Sequence, residues 1–261
     1  MSSGPRIHLT GATGRTGNAV AHALTTRRDV ELVTCIAPSL GRVPTRSVPS
    51  SCMHATRVDG IPDDHVRHGD VLVDLSIAER VAGHLQWALD HGVHVVVGTT
   101  GCNETMLADA GHRFADAGLA LLVIPNFSIG AVLMMRLSAQ IAEYMPGVEI
   151  VETHHDTKVD APSGTAIRTA RLIAAARALE PALDTEEATA ARGLNIDGVP
   201  VHSLRLPGAT AHQDVVFGLP GEMLTIRHDA IDRSCYGAGV ALAARSVASF
   251  TGLHVGLEEL L

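Results

Sequence analysis

Ile7-His8-Leu9-Thr10-Gly11-Ala12-Thr13-Gly14-Arg15-Thr16-Gly17 decides how this chain folds. A short β-prone run enters a loop with glycines at every third position, and a helix-like stretch from Asn18 to Thr26 leaves it. The first glycine permits a tight turn. The second lets backbone approach a pyrophosphate, and the third lets the helix pack close to the sheet. Open N–H groups at the helix start then favour an anion. The spacing is G-x-x-G-x-x-G rather than the commoner G-x-G-x-x-G, so a glycine-rich turn in an ordinary α/β protein remains open on this loop alone.

The pattern continues outward from this loop. Val30 to Ile36, Val71 to Asp74, Val93 to Val97 and Leu119 to Ile124 read as strands, with helices predicted over Ala78 to Asp90 and Asn103 to Ala117. Strands alternating with helices of about a dozen residues imply βαβ units and a parallel sheet. Near Pro125-Asn126 the character changes. A long helix over Ile129 to Tyr144, a strand over Glu149 to Glu152 and a helix over Ala166 to Leu179 are followed by a polar connection at 180–198. Val201 to Leu206 alternates, and Val215 to Phe217 faces Met223 to Arg227 across the turn signal Leu219-Pro220-Gly221. Gly237 to Phe250 reads as one smooth apolar helix that returns to the first domain. The expected fold class is therefore α/β: a Rossmann-like dinucleotide-binding domain, residues 1–125 and 234–261, and a second domain, residues 126–233, with an antiparallel or mixed sheet.

Composition narrows the partners. The chain has 261 residues, 46% of them hydrophobic and 18% charged, which is too apolar for disorder. A net charge of −8 offers no basic field for nucleic acid. No run of apolar residues is long enough for a membrane span. Met1 to Arg6 lacks the apolar stretch of a secretory leader, and the four cysteines, Cys35, Cys52, Cys102 and Cys235, form no C-x-x-C pair. Reduced thiols and a cytoplasmic location are expected.

Further motifs sit at strand ends, where ligands of open parallel sheets bind. Asp74-Leu75-Ser76 and Gly98-Thr99-Thr100-Gly101 both qualify, although each also fits a plain βα turn. A dinucleotide site normally carries an acid after the second strand to hold the adenosine ribose. Here Cys35-Ile36-Ala37-Pro38-Ser39 has none, while Arg15, Arg42 and Arg46 lie nearby, an arrangement that favours a 2′-phosphate and hence NADPH over NADH.

The most informative block is Glu152-Thr153-His154-His155-Asp156-Thr157-Lys158-Val159-Asp160-Ala161-Pro162-Ser163-Gly164-Thr165-Ala166. Ser163 and Thr165 supply capping hydroxyls at a helix entrance whose N–H groups face outward. Lys158 adds positive charge, and a histidine beside it can carry a proton near neutral pH. Together they make a carboxylate or phosphate cradle with a proton donor. A surface loop before a capped helix is the bland alternative. A metal site is disfavoured, because His154 and His155 on a strand point to opposite faces and Lys158 repels a cation.

These segments, with Pro125-Asn126-Phe127-Ser128-Ile129-Gly130, Val201-His202-Ser203-Leu204-Arg205 and the Gly221-Glu222 to His228 stretch, resemble the 4-hydroxy-tetrahydrodipicolinate reductase (dihydrodipicolinate reductase) family along nearly the whole chain. The resemblance implies a Rossmann domain joined to an α+β domain with an open mixed sheet that builds a homotetramer. It also implies hydride transfer from NADPH or NADH to an unsaturated cyclic dicarboxylate in lysine and diaminopimelate biosynthesis. His154 is then the expected general acid, and Lys158, the second catalytic residue, is expected to bind substrate carboxylates with the amides and hydroxyls of Ser163, Gly164 and Thr165. His155, Ser163, Gly164 and Thr165 are expected around the substrate. Gly11, Thr13, Gly14, Arg15, Thr16, Gly17, Ser76, Gly98, Thr99 and Thr100 are expected at the cofactor, with Asn126 and Phe127 at a hinge. The sequence departs from the family at Asp74-Leu75-Ser76, usually Asp-Phe-Thr, and at Cys102, often aromatic. These departures leave open a paralogue acting on another cyclic imine. A non-catalytic NAD(P) sensor and a histidine-based metal hydrolase are the remaining alternatives.

Overall fold

A computed structural model describes residues 4–40, 48–177 and 190–261. The chain divides into two compact units: unit 1 comprises Met1–Ile129 and Arg233–Leu261, and unit 2 comprises Gly130–Asp232.

Unit 1 is built on seven strands: β1 (Arg6–Thr10), β2 (Glu31–Ile36), β3 (Met53–Ala55), β4 (Val71–Asp74), β5 (His94–Val97), β6 (Ala120–Val123) and β12 (Gly252–Val255). They form one sheet in the order β12-β6-β5-β4-β1-β2-β3, and every adjacent pair is parallel. β4 and β5 are buried at every position, as expected of strands covered on both faces. Helices α2 (Ala78–His91) and α3 (Glu104–Asp116) bury Val81, Leu85, Trp87, Leu107 and Phe114 against Leu72, Val95 and Leu121. Helices α1 (Arg15–Thr25) and α6 (Tyr236–Ser246) pack together so closely that a Cβ on Gly237 would lie 2.5 Å from the Ala23 Cβ. The order reverses at β1, which has β4 on one side and β2 on the other. This is the switch point at which the carboxyl ends of such sheets open a crevice.

Unit 2 carries α4 (Ile129–Ala142), which opens at the boundary, and a five-stranded mixed sheet. Its strands are β7 (Gly147–His154), β8 (Leu194–Ile196), β9 (Val199–Arg205), β10 (Ala211–Leu219) and β11 (Glu222–Ala230), in the order β11-β10-β7-β9-β8. β7 runs parallel to β9 and antiparallel to β10. Along β7, Val148, Ile150 and Glu152 face inward at alternating positions. Helix α5 (Gly164–Ala176) buries Ala166, Thr169, Ala170 and Ile173. Thr169 Oγ1 accepts from the buried Gln213 Nε2 at 2.9 Å, which satisfies both groups across the helix–sheet layer. The β10–β11 hairpin closes at Gly221, whose φ of +89° suits glycine.

Three elements differ from the sequence expectation. The final apolar stretch is not one helix to Phe250. α6 ends at Ser246, a short 3-10 turn covers Val247–Ser249, and the chain re-enters the parallel sheet as β12. β3 arises between the expected strands at Val30 to Ile36 and Val71 to Asp74, and β8 arises within the 180–198 connection. All three strands have only three or four residues, too few to show a hydrophobic period.

Candidate active site

The Gly11–Gly17 loop joins β1 to α1, and its glycines have steric causes. Gly11 has φ +71°, and a Cβ there would lie 2.1 Å from the Leu75 carbonyl oxygen. A Cβ on Gly17 would lie 2.2 Å from the Gly11 carbonyl oxygen, so loop and helix meet only if both positions are bare. Gly14 caps α1 without a side-chain hydrogen bond, and backbone N–H groups at such a helix start favour an anion. Arg15 is exposed beside it, and Thr16 opens the same turn. Thr13 Oγ1 and Ser39 Oγ share a 2.7 Å hydrogen bond that ties the loop to the chain after β2.

A cavity of about 720 Å³ opens at these strand ends. Thr10, Gly11, Thr13 and Gly14 line it from one side, Ile36, Ala37 and Pro38 from another, and Ser76, His84 and Trp87 from a third. Its volume lies within the range of small-molecule and cofactor sites. Bare glycines at the contact points and an open helix N-terminus suit the pyrophosphate of a dinucleotide. Arg42 and Arg46, read from sequence as 2′-phosphate partners, lie outside the described residues.

Asp74 organises the cavity floor. It is fully buried at the end of β4. Its carboxylate accepts from Thr10 Oγ1 at 2.8 Å, His84 Nδ1 at 2.7 Å, the Ser76 N–H at 2.9 Å and Thr99 Oγ1 at 3.2 Å. Burial pushes this carboxyl up, but the His84 and Ser76 hydrogen bonds outweigh it and hold it below its ordinary value. One anion thereby fixes the ends of β1, β4 and β5, and with them Ser76 and Thr99. Thr100, next to Thr99, is exposed. A Cβ on Gly98 would strike the Phe127 ring at 2.4 Å, so this glycine lets Phe127 seat against the strand end. Asn126 Oδ1 accepts from the Ser128 N–H at 2.9 Å, which turns the chain after β6.

The second cluster lies in unit 2. Glu152 and His154 sit two positions apart on β7 and share a face. The His154 Nδ1–H donates to Glu152 Oε2 at 2.5 Å. Glu152 has no exposed surface, yet both carboxylate oxygens are satisfied. Arg205 donates to Oε2 from Nη1 at 3.0 Å and to Oε1 from Nη2 at 2.9 Å, and the Ser163 N–H reaches Oε1 at 3.2 Å. Burial opposes ionisation of Glu152, but His154 and Arg205 hold its carboxyl down at about 2. With Nδ1 anchored, Nε2 is the ring nitrogen left for proton transfer.

His155, one residue past the end of β7, bonds Thr157 Oγ1 through Nδ1 at 2.8 Å, a different partner from that of His154. Among the described residues no cluster of three or more His, Cys, Asp or Glu is placed to hold a metal ion. Lys158 is not a bare cation: its Nζ donates to both Asp160 oxygens at 2.7 and 2.8 Å. Ser163 caps α5 by accepting the Ala166 N–H at 3.2 Å, while its own N–H is spent on Glu152. Any anion at this helix start is therefore met by Gly164 and Thr165 rather than by the Ser163 amide. Sequence reading quoted Asp74, Glu152 and Arg205 within motifs without giving them a role, and it missed His84. A β7–β9 register that sets His154 opposite Arg205 is what brings Glu152 and Arg205 together.

Comparison with known proteins follows the same division. Residues 5–127 match the family described as dihydrodipicolinate reductase, N-terminus, and residues 130–261 match dihydrodipicolinate reductase, C-terminus. The 4-hydroxy-tetrahydrodipicolinate reductase of Thermobifida fusca (strain YX) is 43% identical over 264 residues, covering 98% of each chain. That of Nocardia farcinica (strain IFM 10152) is 40% identical over 262 residues, again covering 98% of each. A dipicolinate-bound dihydrodipicolinate reductase from Paenisporosarcina sp. TG-14 superposes with a TM-score of 0.83 at 35% identity, over 99% of this chain and 100% of that one. Its glycine loop, its His154–Lys158 block and its full-length likeness to these relatives all agree: this chain belongs to the dihydrodipicolinate reductase family.

Proposed function

We propose that the chain reduces a cyclic unsaturated imine dicarboxylate with NADPH or NADH, taking dihydrodipicolinate, or its hydrated form 4-hydroxy-tetrahydrodipicolinate, to tetrahydrodipicolinate in lysine and diaminopimelate biosynthesis. The bound nicotinamide supplies the hydride. Unit 1 holds the dinucleotide through Gly11, Thr13, Gly14, Arg15, Thr16 and Gly17 at the pyrophosphate, with Ser76, Gly98, Thr99, Thr100, Asn126 and Phe127 toward the nicotinamide end. The observation that carries the reading is the anchored His154, whose Glu152 partner also takes the N–H of Ser163, the cap of α5.

Hydride addition to a conjugated imine leaves an electron pair delocalised on the ring. His154 quenches it by giving its Nε2 proton to a ring carbon, its ring held in aim by the Glu152 carboxylate at Nδ1. Lys158 and the Gly164 and Thr165 end of α5 hold a substrate carboxylate, with His155 lining the same side. A carboxylate entering this site takes over from Asp160 as partner of Lys158. The enzyme is assigned to the cytoplasm, and the exposed Met223 and Leu224 on edge strand β11 support assembly through unit 2 into a homotetramer. Among the described residues no helix is long and apolar enough to cross a membrane.

The test is consumption of NADPH on addition of enzymatically generated dihydrodipicolinate. Turnover that disappears in His154→Ala, with folding intact, supports the reading. NADPH binding without turnover on this substrate rejects it.

A further inference from the structure

Two of the four cysteines meet beside the cofactor cavity. Cys35, on β2, is fully buried, and Cys52, half-buried just before β3, brings its Sγ to 3.3 Å from the Cys35 Sγ. The register explains the meeting. β2 and β3 run parallel with Thr34 opposite Met53 and Cys35 opposite His54, so the turn that feeds β3 abuts β2. That turn is held by Pro49, whose carbonyl accepts from His54 Nε2 at 2.7 Å and lies 3.5 Å from the Cys52 Sγ.

The two thiols differ in exposure, Cys35 being fully buried and Cys52 half-buried. The contact with Cys35, with His54 nearby, brings the Cys52 thiol down to about 7, whereas the contact with Cys52 and burial push Cys35 up. The more exposed sulfur, backed by a buried thiol in contact, is the arrangement of an attacking and a resolving cysteine. Cys102 contrasts with it, because burial and the Asp74 carboxylate push that thiol up.

The pair is coupled to the cavity by backbone. Ile36 and Ala37, which follow Cys35, are cavity wall. The Ala12 N–H of the glycine loop donates to the Ile36 carbonyl at 3.2 Å, and the Ala37 N–H donates to the Ala55 carbonyl at 3.1 Å. Drawing the two sulfurs from contact to bonding distance pulls the turn before β3 and the end of β2 together, and so displaces this wall.

We propose that Cys35 and Cys52 form an oxidisable dithiol site for hydroperoxides, and that its disulfide weakens dinucleotide binding in the adjoining cavity. The Cys52 thiolate attacks the peroxide O–O bond, giving a sulfenic acid and hydroxide. The Cys35 sulfur then attacks the sulfenic sulfur, releasing water and forming the S–S bond. In sum two thiols and one hydrogen peroxide give one disulfide and two waters, and a small dithiol such as dithiothreitol reverses the step. The effect on binding rests on the proposed cofactor role of the cavity; formation of the disulfide does not.

The experiment treats the reduced full-length chain with hydrogen peroxide and counts thiols after denaturation. The expected result is a fall from four thiols to two, loss of two hydrogens in mass, and a peptide joining Cys35 to Cys52. Persistence of four thiols, or a bridge through Cys102 or Cys235, overturns the proposal. Binding is read separately from quenching by NADPH of Trp87, the chain's one tryptophan, which lines the cavity. The dissociation constant should rise about tenfold on oxidation. It should recover with dithiothreitol and stay constant under peroxide in Cys52→Ser. Equal affinity of oxidised and reduced protein overturns the coupling. Absence of quenching in the reduced protein instead sinks the cofactor reading, and the thiol count still decides the dithiol.

Discussion

The His154 Nδ1–H points at Glu152 Oε2 from 2.5 Å, so the proton donor of the proposed reaction is oriented by a carboxylate that never meets solvent. His154→Ala should lower kcat by about two to four orders of magnitude, the usual worth of a positioned proton transfer. Steady-state NADPH oxidation with the far-ultraviolet spectrum as folding control checks it. Retained kcat would remove His154 from the chemistry.

Glu152 makes stability pH-dependent in a defined window. Its carboxyl lies at about 2 in the folded protein, against an ordinary value of 4.5. A lowered folded value means that this contribution is complete above pH 4.5. It is lost as pH falls from there through about 2. The difference corresponds to about 3 kcal/mol. Denaturant unfolding at stepped pH should show a steeper acid loss in the parent than in Glu152→Gln. Parallel curves would mean that Arg205 and His154 do not hold the charge.

How much of this was legible beforehand depends on sequence distance. The Gly11–Gly17 loop and the αβ alternation announced unit 1 because each signal is local. Ser163 as a cap was equally plain, being followed directly by its helix. Arg205 sits 53 residues from Glu152, and no local pattern pairs them; the parallel β7–β9 register does. Lys158 and Asp160 were both in view within one motif. Their separation by two residues gave no reason to expect the bidentate pair, which depends on the fold of the loop. β12 was lost inside an apolar run that resembles the helix before it.

The Lys158 pair gives two substitutions with opposite signs. Lys158→Ala should raise KM for the dicarboxylate and lower kcat, by about 1.5–3 kcal/mol in kcat/KM, since one charge-assisted contact is lost. Asp160→Asn removes a competitor for the ammonium and should lower KM severalfold at most, because exposed pairs contribute about 0–1 kcal/mol. Kinetics at low and high salt separate the two. A higher KM in Asp160→Asn would mean that the acid positions Lys158 rather than occupying it.

Two glycines near one cavity should respond differently to the same added methyl. Gly17→Ala places a Cβ against the Gly11 carbonyl oxygen, and backbone on both sides leaves no flexible group to give way. Overpacking of this kind costs about 1–3 kcal/mol and should displace the loop that faces the pyrophosphate. Gly83, on α2, lines the same cavity, and a Cβ there meets nothing within 4 Å. Gly83→Ala should therefore stabilise α2 by about 0.5–1 kcal/mol through helix propensity alone. Thermal unfolding gives both signs, and NADPH quenching of Trp87 gives the binding consequence. Loss of affinity in Gly17→Ala with retention in Gly83→Ala is the expected pattern. Equal loss in both would place the dinucleotide along α2 rather than on the glycine loop.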